Sequence, residues 1–242
     1  MNAATYNYES FHRSTLKEEL QFRSGPEPGQ SAPDFDLETT EGKQFRLSEC
    51  RNRMPVLLEF GSISCPMAAA AIDELKRLHA FFGGRVQFVT VYVRETHPGE
   101  RYPHHQSLEQ KRQHAVAWKR ADGIPWTVAV DTLDGSVHRS YGAVPNAVFL
   151  IDSTGQVAFR ALFAAQEKVL AMKLGELVEC EKNGQVPANL GEEKRRMVPL
   201  IKSARHFDHA VARAGQQAVQ DYRREMGPIM YGFERLMSRM GG

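Results

Sequence analysis

The chain has 242 residues, 25% of them charged, and a formal net charge of +2. So even a balance gives no field to hold nucleic acid or an acidic membrane surface, and no run approaches the ~20 apolar residues of a membrane span. Three cysteines, Cys50, Cys65 and Cys180, form no CxxC pair and no metal-ligand spacing, and so odd and sparse a count argues against a disulfide-stapled secreted domain.

Residues 1–24 are polar and lack the apolar core of a secretory leader, so the cytoplasm is the expected location. Tyr8, Phe11, Leu16 and Leu20 recur at near-helical spacing and predict a short amphipathic helix over 5–22. Gly25 to Pro33 is a linker by composition. Phe35 to Leu47 alternates around Glu41-Gly42-Lys43 as a β-hairpin. Val56–Phe60 is a buried strand, 66–82 a helix stopped by Gly83-Gly84, Val86–Val93 a second strand and Leu108–Arg120 a helix. Thr127–Asp131 is a strand, Val148–Asp152 and Gln156–Leu162 pair across Ser153-Thr154-Gly155, and Val169–Glu181 closes the series.

That order is α/β, with a mixed central sheet and helices on both faces, the thioredoxin-like pattern. It divides the chain into an N-terminal helix and linker (1–27), the α/β domain (28–182) and a helical C-terminal extension (183–242). The extension follows Asn183-Gly184-Gln185-Val186-Pro187. Ala210, Val211, Ala214, Ala218, Val219 and Tyr222 mark one apolar stripe. Ile229, Phe233, Leu236, Met237 and Met240 mark another beyond Gly227-Pro228. Two readings stand for them: packing on the chain's own domain, or a homodimer or partner surface.

Cys65 is the leading candidate for chemistry. The strand 56–60 runs through Gly61-Ser62-Ile63-Ser64 into Cys65-Pro66, and proline favours the first helical position. Cys65 therefore falls at the helix N-cap, where the N–H groups of Met67 and Ala68 and the helix dipole favour a thiolate. A buried inert thiol is the alternative. Ser62 and Ser64 either donate hydrogen bonds to the thiolate or cap the helix. Glu59, inside an apolar strand, is either a buried proton relay with a raised pKa or a carboxylate turned outward. His97 ends the second strand on the side of the Cys65 turn and is a candidate proton donor. His104 and His105 follow in a loop whose spacing is not diagnostic of a metal. Pro145 precedes a strand and is either a plain trans turn proline or, as thioredoxin-like folds place there, a cis-proline packed against the reactive thiol. Together with Val144, Gly61 and Pro66 it forms the candidate substrate-binding set.

Gly29-Gln30-Ser31-Ala32-Pro33-Asp34-Phe35 looks like the opening of many redoxin domains. Phe60-Gly61-Ser62-Ile63-Ser64-Cys65-Pro66, Glu95-Thr96-His97-Pro98, His105-Gln106-Ser107-Leu108-Glu109 and Tyr141-Gly142-Ala143-Val144-Pro145 occur in that order. With them, about residues 30–163 resemble the iodothyronine deiodinase family and its bacterial relatives, in the peroxiredoxin-like branch of the thioredoxin superfamily. The resemblance implies Cys65 in the place of the family's selenocysteine or cysteine, with Glu95 and His105 as further active-site residues. Pro145-Asn146-Ala147-Val148-Phe149 departs from the family's Pro-Glu-Arg-Leu-Tyr. The arginine that helps hold iodothyronine is thus missing, and iodothyronine is not the expected substrate.

Ala68 stands at the second cysteine of a CxxC motif, so recycling calls on an external thiol or thioredoxin-like protein, or on Cys50 or Cys180 after movement. The expected activity is thiol-dependent reduction of a peroxide or disulfide. Reductive dehalogenation of a small aromatic and a non-enzymatic redox sensor are the rivals. No metal or organic cofactor is implied.

Overall fold

The structure, a computed structural model, describes residues 6–16, 20–185, 189–194 and 197–240. A two-stranded hairpin, β1 (Asp36–Glu38) and β2 (Gln44–Arg46), pairs antiparallel. Then follow β3 (Val56–Gly61), α1 (Pro66–Phe82), β4 (Gln87–Tyr92), α2 (Leu108–Ala121), β5 (Thr127–Val130), α3 (Ser136–Ser140), β6 (Val148–Ile151), β7 (Val157–Ala161) and α4 (Glu167–Lys182). The sequence pattern anticipates all of these except α3, whose five residues are too few for a periodic signal.

The sheet runs β5-β4-β3-β6-β7 and gains a sixth strand, β8 (Gly191–Glu193), from the C-terminal extension. Strands β3, β4 and β5 are parallel. Strand β6 is antiparallel to β3 and β7, and β8 is parallel to β7. Every residue of β3 is buried, as a strand covered on both faces requires. Side chains alternate along it. Phe60 meets His138 and Tyr141 around α3, with ring centroids 5.3 and 5.4 Å away. The next residue, Gly61, faces the other way, where a Cβ would come within 2.6 Å of Trp118 on α2 and 3.2 Å of Ala68 on α1.

The N-terminal segment departs from its predicted helix. No single helix runs through its described residues: His12 is extended, a 3-10 turn follows at Arg13–Thr15, and Leu20 N–H bonds the Leu16 carbonyl at 3.1 Å as in a helical turn; residues 5 and 17–19 lie outside the described set. Tertiary contacts override the spacing. The Tyr6 ring lies over Gly135 (φ 70°), its hydroxyl is 2.8 Å from His138 Nδ1, and Arg94 stacks between Tyr6 and Tyr8 at 5.0 and 5.1 Å. The segment is a strap anchored residue by residue, which a helix could not satisfy.

The extension continues, beyond linker residues 186–187 that also lie outside the described set, as β8 and α5 (Met197–Arg205). A π-helical turn, Asp208–Ala212, and α6 (Gln216–Met240) follow. Helix α6 breaks at Gly227 (φ 82°, ψ 165°) before Pro228, a pair that joins a left-handed backbone to a residue with no N–H. The Tyr222 hydroxyl then reaches Glu234 at 3.0 Å, whereas twelve residues of unbroken helix would separate them by ~18 Å.

Phe207, Val211, Ala214, Ala218 and Tyr222 pack with Phe11 in a second apolar cluster. Lys202 bonds Glu74 of α1 and the Ala165 carbonyl. The first stripe of the extension thus faces its own domain. The second is left exposed at Ile229, Leu236 and Met240. Among the described residues no helix is long and apolar enough to cross a membrane.

Candidate active site

Strand β3 delivers its last residues to one end of the sheet, and the chain turns through Ser62-Ile63-Ser64 into α1. The Cys65 N–H bonds the Ser62 carbonyl at 3.1 Å, the Cys65 carbonyl accepts Ala69 N–H at 3.0 Å, and Pro66 is the first helical residue. Cys65 is the N-cap, as its position before proline predicts. Its side chain makes no capping hydrogen bond to the first turn, so the expected donation from Met67 and Ala68 is not formed. None of the three cysteines is in a disulfide.

Behind the thiol lies a buried polar hub centred on Glu95. One carboxylate oxygen accepts the Ser64 hydroxyl at 2.5 Å and the Ser64 N–H at 3.3 Å. The other takes the Tyr92 hydroxyl and lies 3.2 Å from both His105 Nε2 and His114 Nδ1. Burial pushes the Glu95 carboxyl up, but the hydrogen bonds from the two histidines outweigh it and hold the group well below the ordinary range. Burial lowers the pKa of His105, against the pull of Glu95.

Ser64 is therefore committed to Glu95, and its oxygen accepts the His97 N–H at 3.2 Å. It positions the turn instead of serving as the expected thiolate donor or helix cap. Ser62 keeps a buried hydroxyl with no partner. His114 and Tyr92 were not singled out by motif. For His114 the signal is periodicity: Lys111, His114, Ala115 and Trp118 form the buried stripe of α2, while Tyr92 ends β4.

Glu95, His105 and His114 hold potential ligand atoms within 4.8 Å of one another, the geometry of a small cation site. The shared carboxylate oxygen already receives three donors, so hydrogen bonding accounts for the cluster without a cation. His97 and His104 are not part of it.

His97 is buried and packs against Phe11 and Tyr222, with ring centroids 4.4 and 5.5 Å away. Burial lowers its pKa to about 3, so the ring is neutral near pH 7 and offers no imidazolium proton. Its Nδ1 has no hydrogen-bond partner.

Glu59 is fully buried, on the same sheet face as Gly61, and the reading that turned it outward is excluded. It accepts from Thr90 at 2.6 Å and Asn146 at 2.9 Å, and burial raises its pKa to about 7 against those bonds.

Three substrate-binding expectations are corrected. The peptide before Pro145 is trans, since no cis bond occurs among the described residues. Ala143 takes a left-handed φ of 56°, and the Val144 carbonyl turns inward to His138 Nε2 at 3.1 Å and Ala147 N–H at 3.2 Å. Val144 therefore presents no free carbonyl. Gly61 is sealed between Trp118 and Ala68, and its carbonyl accepts Val93 N–H, so it is a packing residue.

Cys65, Pro66, His97 and Pro145 do converge, on the wall of one apolar cavity of about 380 Å³. Its other walls come from the N-terminal strap (Phe11, Leu16, Leu20), Phe163, and the helices of the extension. Sequence reasoning placed none of these last residues in the site.

The AhpC/TSA family profile matches residues 28–160, more than half of the chain. The chain belongs to the AhpC/TSA family. Among curated proteins it is similar to thyroxine 5-deiodinase of Gallus gallus, 30% identical over 157 residues, and of Sparus aurata, 26% identical over 157 residues. Each match covers 60% of this chain, and 60% and 58% of the relatives' own length.

Among solved structures, a Chlorobium tepidum protein described as the thiol:disulfide interchange protein DsbE superposes with a TM-score of 0.52 at 22% identity, covering 64% of this chain and 99% of that one. An uncharacterized conserved protein of Geobacillus kaustophilus gives 0.52 at 18% identity, covering 72% and 88%. These two likenesses carry the fold. Membership places this AhpC/TSA protein as a deiodinase-like member of the thioredoxin-like superfamily and supports a redox function.

Proposed function

We propose that this protein is a thiol-dependent oxidoreductase with Cys65 as its single nucleophile. The observation that supports this is the convergence of Cys65, at the N-cap of α1, with His97 and Pro145 on one cavity. The Cys65 sulfur attacks one oxygen of a hydroperoxide. The S–O bond forms, the O–O bond breaks, and the departing alkoxide takes up the thiol proton to leave as an alcohol. Sulfur is oxidised to the sulfenic acid and the peroxide is reduced. An external thiol then displaces water to form a mixed disulfide, and a second thiol releases Cys65 and a disulfide.

Cys50 and Cys180 line no part of the Cys65 cavity, which favours an external reductant, either a low-molecular-weight thiol or a thioredoxin-like protein. Ser62, with its unpartnered hydroxyl, is the nearest candidate in sequence to donate to the developing charge. The Glu95–Ser64 contact holds the turn, with His105 behind it. Glu59 is a buried group for slower proton exchange.

Titration with cumene hydroperoxide and mass detection of one added oxygen tests this. Wild type and the Cys50→Ser, Cys180→Ser double variant should gain it, and Cys65→Ser should not. Oxidation that persists in Cys65→Ser overturns the assignment. The deiodinase relatives and the apolar cavity favour one second reading, attack of Cys65 on the halogen of an aryl halide, which a halide-release assay decides.

A further inference from the structure

The C-terminal extension supplies more of the cavity wall than the family domain does. We infer that residues of α5 and α6, with the strap residue Phe11, form a chamber that binds an uncharged lipophilic molecule and presents its reactive end to Cys65. This rests on the thiol-oxidoreductase reading for its chemistry, but the binding claim stands on its own geometry.

Four observations carry it. First, the size falls in the range of small-molecule sites, ~300–1,000 Å³, and most of the wall is Phe, Leu, Ile, Met and Tyr, with Thr96, His97, Ser203 and Glu234 as its polar members beside Cys65. Second, among the described residues no lysine or arginine lines the cavity, so nothing there pairs with a carboxylate or phosphate. The one acidic side chain of the lining, Glu234, accepts the Tyr222 hydroxyl and has its pKa raised by burial. Third, His97 is 4% exposed, lines the cavity and carries an unpartnered Nδ1. A buried polar atom of that kind calls for a hydrogen-bond partner, and the His97 backbone N–H is tied to Ser64, next to Cys65. Fourth, Met197, Leu200, Ile201, Met230 and Phe233 line the cavity and are exposed. The entrance is thus apolar, and its methionines adapt to a flexible body. A hydrocarbon body under the helices with one polar reactive group at His97 and Cys65 satisfies all four. An acyl chain and an aryl ring share that chemistry.

The test uses the full chain and a neutral apolar fluorophore, N-phenyl-1-naphthylamine. Wild type and Cys65→Ser should bind it saturably at one site. Met226→Trp and, as a second filling variant, Met230→Trp should weaken binding at least ten-fold while keeping the native circular dichroism. The ratio of kcat/KM for cumene hydroperoxide to that for hydrogen peroxide should fall at least ten-fold in the same variants. Competition by decane-1-ol or by 4-propylphenol distinguishes acyl from aryl preference. No saturable binding, or binding that the filling variants leave intact, overturns the chamber while leaving Cys65 chemistry standing. Binding that fades as protein concentration rises also overturns it, because a second copy of the chain then occupies the groove. Binding with no oxidation of Cys65 by either peroxide refutes the enzymatic reading and leaves the chamber.

Discussion

Replacing Glu95 by glutamine is the sharpest perturbation of the site, because charge changes while shape does not. The carboxylate receives five donors: the Ser64 hydroxyl and N–H on one oxygen, and Tyr92, His105 and His114 at the other. A glutamine offers one acceptor oxygen and one NH₂. With its oxygen toward the group of three, the NH₂ faces Ser64. The serine hydroxyl can turn to accept, but the Ser64 N–H is stranded, at a cost of ~1–3 kcal/mol. The remaining bonds also lose their charge assistance, and hydrogen bonds to charged groups contribute ~1.5–3 kcal/mol against ~1 for neutral ones. We expect a loss of about 3–5 kcal/mol at pH 7, seen as a fall in Tm of roughly 6–20 °C for a chain of this size.

The pH dependence has a definite sign. The folded state holds Glu95 below its unfolded value of ~4.3. Its contribution is therefore complete above that pH and is lost as pH falls toward the folded value. Urea denaturation of wild type and Glu95→Gln at pH 7 and pH 3.5 should show a gap that narrows on acidification. A variant within 1 kcal/mol of wild type at pH 7, or a gap that does not narrow, would refute the hub as a charged, fully donated centre.

Glu59 predicts the opposite slope. Its folded pKa is raised to about 7, so it costs stability as pH climbs from the unfolded ~4.3 through 7. Glu59→Gln should equal wild type near pH 4 and exceed it by about 3–4 kcal/mol at pH 8 in the same denaturation assay. Arg213 donates to Asp122 at 2.7 Å and to the Ile63 carbonyl at 3.1 Å, tying the extension to the active-site turn. Arg213→Ala leaves Asp122, 2% exposed in its side chain, without its main counter-charge. We expect a loss of about 3 kcal/mol and slower sulfenic acid formation, read by denaturation and by peroxide titration. Gly135→Ala would place a methyl within 2.1 Å of the Tyr6 ring at a φ of 70°. The strap should loosen, and limited proteolysis should cleave before residue 20 faster than in wild type.

Local chemistry was legible in the sequence, and distant convergence was not. The apolar run 56–60, the glycine turn and the proline after Cys65 sufficed to place the thiol at a helix start. His105 and Glu95 entered through motif resemblance and do meet, at 3.2 Å. A continuous helix over 5–22 is interrupted between Tyr6 and Thr15 because Tyr6, Tyr8 and Phe11 each find a separate tertiary partner, and helical spacing carries no record of that. The cis-proline failed for a similar reason: the conformation before Pro145 is set by the left-handed Ala143 and the His138 contact to Val144.

The chamber shows the deeper limit. Phe11, His97 and Tyr222 meet with centroids 4.4 to 5.8 Å apart although they come from the strap, the loop after β4 and the extension. Along the chain, a stripe such as Ala214, Ala218 and Tyr222 has one pattern whether it faces a solid core or the wall of a cavity. What separates the two is volume left unfilled. That depends on which side chains face one another across three segments, and here on a kink at Gly227 beyond which Met230, Phe233 and Glu234 line the same cavity as Cys65. Apolar periodicity identifies a face to be covered; only packing decides whether protein or ligand covers it.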